Sequence, residues 1–393
     1  MTTASPSKIL EETNWDFNGV KTNFSTHRIH PYPAKYIPQI PAALIQELSE
    51  PKERVADIFC GSGTTLVEAL SLGRNAVGID ANPLACLISE VKTARLTLED
   101  RELLKDVISK AKVLADKISF QSTGLFAQKD VFVCDAPRPE SDTLTFWFEP
   151  LVIEEIAQAL AWCNELPSIT ARKVAQVALS AIIVTVSKQD SDTRYVRREK
   201  NIPPGEALSR FARSLSNAVE AISEFNQTLD TTLKCEVYQG SVLEQPNVGM
   251  FDLVVCSPPY PNAFSYHLYH MTRMLWLGMD QPKFKREEIG SHRKYSSKSH
   301  KGATAETFRE EMETIFEWLR GCLKDNRHVC FVVGNSTIRG ETIDNAQLIS
   351  EAASLHSFHE VARLNRKMQE TKKAFNPAHG RIKTEQILIL QKN

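Results

Sequence analysis

The sequence predicts an α/β fold with a mostly parallel central sheet and a mainly helical insertion. Three observations predict it. Short apolar runs alternate with helical patterns over residues 54–92, as parallel strands joined by crossover helices require. The same alternation resumes after residue 233. Between the two, residues 98–232 carry mainly helical periodicity.

Residues 1–22 are polar and mixed and read as an arm. Residues 24–41, FSTHRIHPYPAKYIPQIP, hold four prolines, which remove backbone donors and fix φ, so an extended, docked segment is expected. A short helix follows at about 41–49. Residues 54–60 form the first strand; a glycine turn leads into a helix at 64–72, closed by Gly73. A strand at 75–80 and a helix at 83–92 complete the second unit. Helical patterns then occupy 99–118, 150–165, 170–187 and 205–229, broken by a basic and aromatic loop, SKQDSDTRYVRREKNIPPG. The apolar run 131–134 is an alternative strand for the sheet. Strands are expected at 235–239 and 251–256, then a long loop region at 261–302 with some helix, rich in Lys, Arg, His and Ser. A helix at 305–324 and strands at 328–333, 360–364 and 386–390 finish the chain. The division is an arm (1–22), a first part of the main domain (23–97), the insertion (98–232) and a second part (233–393).

Composition narrows the classes. The 393 residues suffice for one large elaborated domain or two ordinary ones. The net charge is −1, so the whole chain shows no basic excess for nucleic acid, although a local basic face is enough to neutralise phosphates. The eight cysteines lack C-x-x-C spacing and lie mostly in apolar runs, which reads as core thiols in a reducing, cytoplasmic setting rather than a zinc or redox site. No signal-peptide pattern and no bilayer-length apolar stretch is read, so no membrane partner is expected.

Two turns carry the chemistry. The first is Phe59-Cys60-Gly61-Ser62-Gly63-Thr64-Thr65, set between a strand carrying Asp57 and a helix. Backbone N–H groups converge at such a turn, and glycine lets a ligand approach the backbone. The plain reading is a tight βα turn without ligand. A dinucleotide site would want a third glycine where Leu66 stands, and no Gly-Lys-Ser/Thr follows for a phosphate loop. Asp80 ends the next strand, at about the ~20-residue offset where an acid meets a ribose diol.

The second is Ser257-Pro258-Pro259-Tyr260, after the apolar strand FDLVVC. The plain reading is a proline-stiffened turn. The functional one starts from the poor nucleophilicity of an exocyclic base amine, whose lone pair is delocalised into the ring. An acceptor at Ser257 and the carbonyl of Pro258 can take its two N–H groups and favour a tetrahedral nitrogen. Two prolines hold that carbonyl with little reorganisation, and Tyr260 offers a face for stacking a base that has been flipped out of the duplex. Carbon-5 methylation needs a nucleophilic cysteine, and the Pro-Cys that would carry it does not occur.

These motifs resemble the FxGxGTT loop and the [S/D/N]-P-P-[Y/F/W] signature of the amino-group DNA methyltransferases, most nearly the site-specific cytosine-N4 type. The stretch SPPYPNAFSYHLYHMTRMLWLG and the ending TEQILIL add to the likeness, which covers about 24–92, 234–279 and 328–392. The resemblance implies a Rossmann-like fold with S-adenosylmethionine as cofactor. Residues 59–65 would wrap its methionine part, Asp80 would meet the ribose, and Ala81 and Asn82 would lie near the adenine. His30, Tyr32, Pro33 and Lys35 would close over the methionine end. Serine at the head of the catalytic motif usually accompanies cytosine N4; adenine N6 in DNA, an RNA base amine, and a catalytically silent nucleic-acid-binding module remain alternatives. A cognate restriction or defence partner is compatible with the type.

The sequence also departs from the pattern. Where relatives often have an acid before the catalytic strand, it reads Gln239-Gly240-Ser241, so Ser241 would serve, with Asp135 as rival. The cofactor loop precedes SPPY, the reverse of many cytosine-N4 enzymes. Candidate nucleic-acid contacts are Arg194, Arg197 and Arg198 in the insertion, and Lys283, Lys285, Arg286, Arg293, Lys294 and Lys298 in the loop after the catalytic turn; a solvated charge run is the default for both. Arg363, Arg366, Lys367, Lys372 and Lys373 form a weaker cluster. His267 and His270 lack a third ligand, so no metal is expected.

Overall fold

The computed structural model describes residues 6–122, 132–140, 142–262, 264–296, 302–368 and 384–393. Helices α1 (Pro6–Glu12) and α2 (Gln39–Leu48) precede β1 (Arg54–Asp57), α3 (Thr64–Ser71), β2 (Asn75–Asp80) and α4 (Pro83–Lys92). The insertion holds α5 (Leu98–Ser122), α6 (Leu144–Trp147), α7 (Pro150–Glu165), α8 (Ile169–Val186), the hairpin β3 (Gln189–Ser191) and β4 (Arg194–Arg197), and α9 (Glu206–Thr228). Then come β5 (Cys235–Gln239), β6 (Phe251–Cys256), and four short helices, α10 (Tyr266–Tyr269), α11 (Met271–Trp276), α12 (Gln281–Glu287) and α13 (His292–Tyr295). The chain finishes with α14 (Ala305–Cys322), β7 (Leu323–Gly334), the hairpin β8 (Ser336–Ile338) and β9 (Glu341–Ile343), α15 (Asn345–Ser354), β10 (Phe358–Lys367) and β11 (Thr384–Lys392).

The α/β reading holds. Seven strands form one sheet in the order β10-β11-β7-β6-β1-β2-β5. All pair in parallel except β11, which runs antiparallel to β10 and β7. The chain winds outward from β1 through β2 to β5, then returns to β6 on the other side of β1. That reversal opens a crevice at the carboxyl ends of the strands, where ligands of doubly wound sheets sit.

Period-two alternation explains the two covered faces. Ala56, Val77, Val254, Phe331 and Leu388 meet α14 and α15, while Val55, Ala76, Val255, Val332 and Ile387 meet α2 and α3. A third core joins α4 to the insertion helices: Leu84, Leu87, Ile88 and Val91 pack with residues of α5, α7, α8 and α9. Helix α8 has the length and hydropathy of a membrane span, contrary to the sequence reading, but it is mostly buried in that core.

The structure corrects other expectations. The N-terminal arm is docked: Leu10 and Trp15 are buried, the Trp15 indole donates to the Leu10 carbonyl, and Arg366 Nε donates to the Trp15 carbonyl. No strand forms at 132–134 (residue 131 lies outside the described residues); the amide of Cys134 binds Glu154 of α7 instead, so this run belongs to the insertion. The hairpins β3–β4 and β8–β9 and helix α15 are additions.

Candidate active site

A cleft with about 940 Å³ of atom-free space, open to solvent, lies over the carboxyl ends of β1, β2, β5 and β6. Both predicted turns reach it. Tyr32, Lys35, Phe59, Cys60, Gly61, Ser62, Thr64, Asp80, Ala81, Asn82 and Ser241 line it together with Ser257, Pro258, Pro259 and Tyr260. Asp135, the rival to Ser241, is instead exposed on the insertion.

His30, Pro33, Asp57, Gly63 and Thr65 stand outside the lining, in supporting positions. Gly63 has φ +76°, and a Cβ there would lie 2.9 Å from Ser89 Oγ, so glycine is needed for α4 to approach the loop. Asp57 accepts from Thr65 Oγ1 at 2.5 Å and from the Phe59 amide at 3.0 Å, bracing the loop from below. Burial pushes its carboxyl up to about 7, against those hydrogen bonds. His30 is buried and bonds Ser180 Oγ at 3.1 Å, which ties the proline-rich segment to α8.

Asp80 receives the amides of Gly61 and Asn82, each at 2.8 Å. Desolvation is the largest influence and raises it to about 6. Asn82 caps α4 through the Leu84 amide, and its Nδ2 donates to the Tyr32 hydroxyl at 3.3 Å. A glycine cradle, a carboxylate at the second strand end and buried Ser62 Oγ, which has no partner among the described residues, together fit the methionine and ribose ends of S-adenosylmethionine.

At the SPPY turn, Ser257 Oγ donates to the Val332 carbonyl at 3.0 Å. Its proton is thereby turned away, leaving the oxygen as an acceptor. Tyr260 donates to Glu385 at 3.0 Å, and Glu385 pairs with Arg366, so the ring is held at a fixed angle. Sequence reasoning missed the facing wall. Phe264, Tyr266, Phe284, Glu287, Glu288 and Ile289 also line the cleft. Glu288 is buried and accepts from the Tyr266 amide and from His267 Nδ1, both at 2.5 Å. Tyr32 stacks on His270 at 4.9 Å, so the two histidines serve different neighbours. The aromatic run FSYHLY beside SPPY was the available signal.

The candidate nucleic-acid residues are distributed unevenly. Lys283, Lys285 and Arg286 are exposed on α12, but Lys294 spends its ammonium on the carbonyls of Glu288 and Arg286. Lys298, Lys372, Lys373 and the side chain of Arg293 lie outside the described residues. Arg366 is buried and internal. Arg194, Arg197 and Arg198 ride on the β3–β4 hairpin and its exit, ion-paired with Asp190, Glu199 and Asp190 respectively.

Residues 4–91 match the family model described as "DNA methylase". The type II methyltransferase M.MjaII of Methanocaldococcus jannaschii is 39% identical over 87 residues, 22% of this chain and 16% of that protein. The type II methyltransferase M.MvaI of Kocuria varians is 26% identical over 293 residues, covering 70% of this chain and 62% of its own length. The chain thus spans less than two thirds of the curated relatives it matches. Among solved structures, TrmN from Thermus thermophilus aligns over 91% of this chain and 49% of its own, with TM-score 0.36 and 9% identity. Over residues 4–91 the chain is thus similar to the DNA methylases, and over 293 residues to a type II methyltransferase.

Proposed function

We propose that this relative of the amino-group DNA methyltransferases transfers a methyl group from S-adenosylmethionine to the N4 amine of a flipped-out cytosine in DNA. The observation that carries the reading is the orientation of Ser257. Its hydroxyl donates to the Val332 carbonyl, so the oxygen is left to act as an acceptor, and Ser257 lines the same cleft as Asp80 and Gly61. Bound there, the cofactor supplies an electrophilic methyl group. Ser257 Oγ accepts one amine N–H and the Pro258 carbonyl the other, leaving the nitrogen lone pair free to attack in line. Tyr260, anchored by Glu385, stacks on the base. The transfer is direct and leaves no covalent enzyme intermediate; the surplus amine proton leaves to water.

The test is chemical. The protein is incubated with methyl-labelled cofactor and mixed DNA and RNA, and the labelled nucleoside is identified after digestion. N4-methylcytosine from DNA is expected. Label only in RNA, or only as N6-methyladenine, overturns the assignment. Ser257→Ala should lower turnover by about 10²–10³, the scale of a lost preorganised hydrogen bond, while calorimetric cofactor affinity stays within twofold. Loss of cofactor binding in that variant would mean the turn serves the cofactor instead.

A further inference from the structure

We propose that the β3–β4 hairpin of the insertion is the duplex-contacting element, pressed against DNA beside the target base; this rests on the reading of DNA as substrate. Three features carry it.

The first is a continuous aromatic path out of the cleft. Phe264 lines the cleft, its ring lies 6.2 Å from Tyr269, and Tyr269 lies 6.3 Å from Tyr195 on β4. Beyond Tyr195, the surface continues to Val196, which is 56% exposed, and to Phe146, covered by the Arg197 guanidinium at 5.1 Å. Flat and apolar groups of this kind suit base and sugar faces next to an extruded nucleotide.

The second feature is rigidity. Buried Gln189, at the root of the hairpin, donates to the Tyr269 carbonyl at 3.1 Å and accepts from Thr272 Oγ1 at 2.9 Å. Arg273, fully buried, donates to the Ser180 carbonyl and pairs with Asp192. The hairpin is therefore fixed to the same short helices that carry the cleft wall, and a duplex seated on it is registered to the catalytic turn.

The third is charge. Residues 188–200 hold five basic and three acidic side chains in a chain of net charge −1. Two of the acids turn inward: Asp192 meets Arg273, and Asp190 is largely covered beneath Arg194 and Arg198; Lys188 and Lys200 are also committed, to Glu149 and to the carbonyls of Val184 and Gln189, which leaves Arg194, Arg197 and Arg198 against Glu199 on the outside. Arg198 is 74% exposed. The outward face is thus the basic one, as a polyanion requires. In the loop after the SPPY turn, Lys294 and Gly290 are committed to internal packing, and the exposed cations there are Lys283, Lys285 and Arg286 on α12.

The experiment measures affinity of the full chain for a cytosine-containing duplex by fluorescence anisotropy across a salt series. Arg198→Ala should weaken binding roughly tenfold and reduce the slope of log K against log salt by about 0.9, one phosphate's worth, and Arg198→Lys should restore most of both. Val196→Ala should reduce kcat/KM several-fold with an unchanged salt slope. Cofactor affinity, read by calorimetry in each variant, should match the parent and so exclude misfolding. Affinity, slope and kcat/KM all within twofold of the parent would overturn the hairpin assignment while leaving methyl transfer to DNA intact. A parent chain that binds the duplex and shows these losses in affinity and slope, yet transfers no methyl group to it, would support the hairpin and overturn the catalytic reading. No duplex binding by the parent overturns both.

Discussion

Asp80 shows how much of a site one side chain can set. It stands at a strand end facing the cleft, and desolvation raises it to about 6 while two amides hold its charged form. A ribose diol needs the carboxylate as acceptor. Cofactor affinity should therefore fall as pH drops through about 6, and the Asp80→Asn variant should bind weakly and without that pH dependence; titration calorimetry between pH 5 and 8 reads both. The effect on the free protein has the opposite sign. The folded chain retains the Asp80 proton up to about 6, whereas an unfolded aspartate releases it near 4, so ligand-free stability declines as pH rises through that window. Residues of this kind were legible because their chemistry is local: Gly61, Gly63, Asp80 and the SPPY turn are each set by one strand end. Phe284, Glu287 and Glu288 were not, because nothing in residue type separates a cleft-lining aromatic or acid from a core or surface one.

At the level of elements, the segment between α12 and α13 lies within the basic stretch read as a candidate nucleic-acid contact, and it braces the SPPY turn. Gly290, at φ +71°, packs so closely that a Cβ would lie 2.9 Å from the carbonyl oxygens of Pro259 and Tyr260. The Asn262 amide donates to the Gly290 carbonyl at 3.1 Å, and the His292 amide to Phe264. Gly290→Ala should thus cost about 1–3 kcal/mol from positive-φ strain and overpacking. It should also lower turnover by displacing the Pro258 carbonyl. Thermal unfolding alongside kinetics tests this; unchanged turnover in a destabilised variant would show that the glycine serves only the fold. Strands and long helices were readable from alternation and periodicity, since β6 is buried throughout and α9 and α14 have strong apolar stripes. Helix α15 escaped notice because alanines make up most of its buried face, Ala346, Ala352 and Ala353 beside Ile349, which gives little hydrophobic contrast. The run at 131–134 misled for the opposite reason: it is apolar enough for a strand, yet Phe132 and Cys134 pack into the insertion core and the Cys134 amide binds Glu154 of α7.

Across the whole molecule, the insertion is read as a separate segment of sequence, yet α4 belongs to both parts. One side of α4 follows β2 in the doubly wound sheet, and the other buries Leu84, Leu87, Ile88 and Val91 against the insertion helices. Burying four such side chains contributes about 6–12 kcal/mol at ~1.5–3 kcal/mol each. That is comparable with the entire net stability of an ordinary domain, about 5–15 kcal/mol, so neither part retains a folded surface once the other opens. The bond from His30 to Ser180 and the Arg273 contacts to α8 and β3–β4 add polar ties across the same joint. The chain should consequently unfold in one cooperative step. Trp147 and Trp162 report on the insertion and Trp318 on α14 beneath the sheet, so single-tryptophan variants can follow the two parts separately in urea. Coincident midpoints and equal slopes are expected from both probes and from far-ultraviolet circular dichroism. An insertion probe that melts first, with cofactor affinity retained, would mean instead that the helices fold and open by themselves and that the catalytic sheet is stable without them.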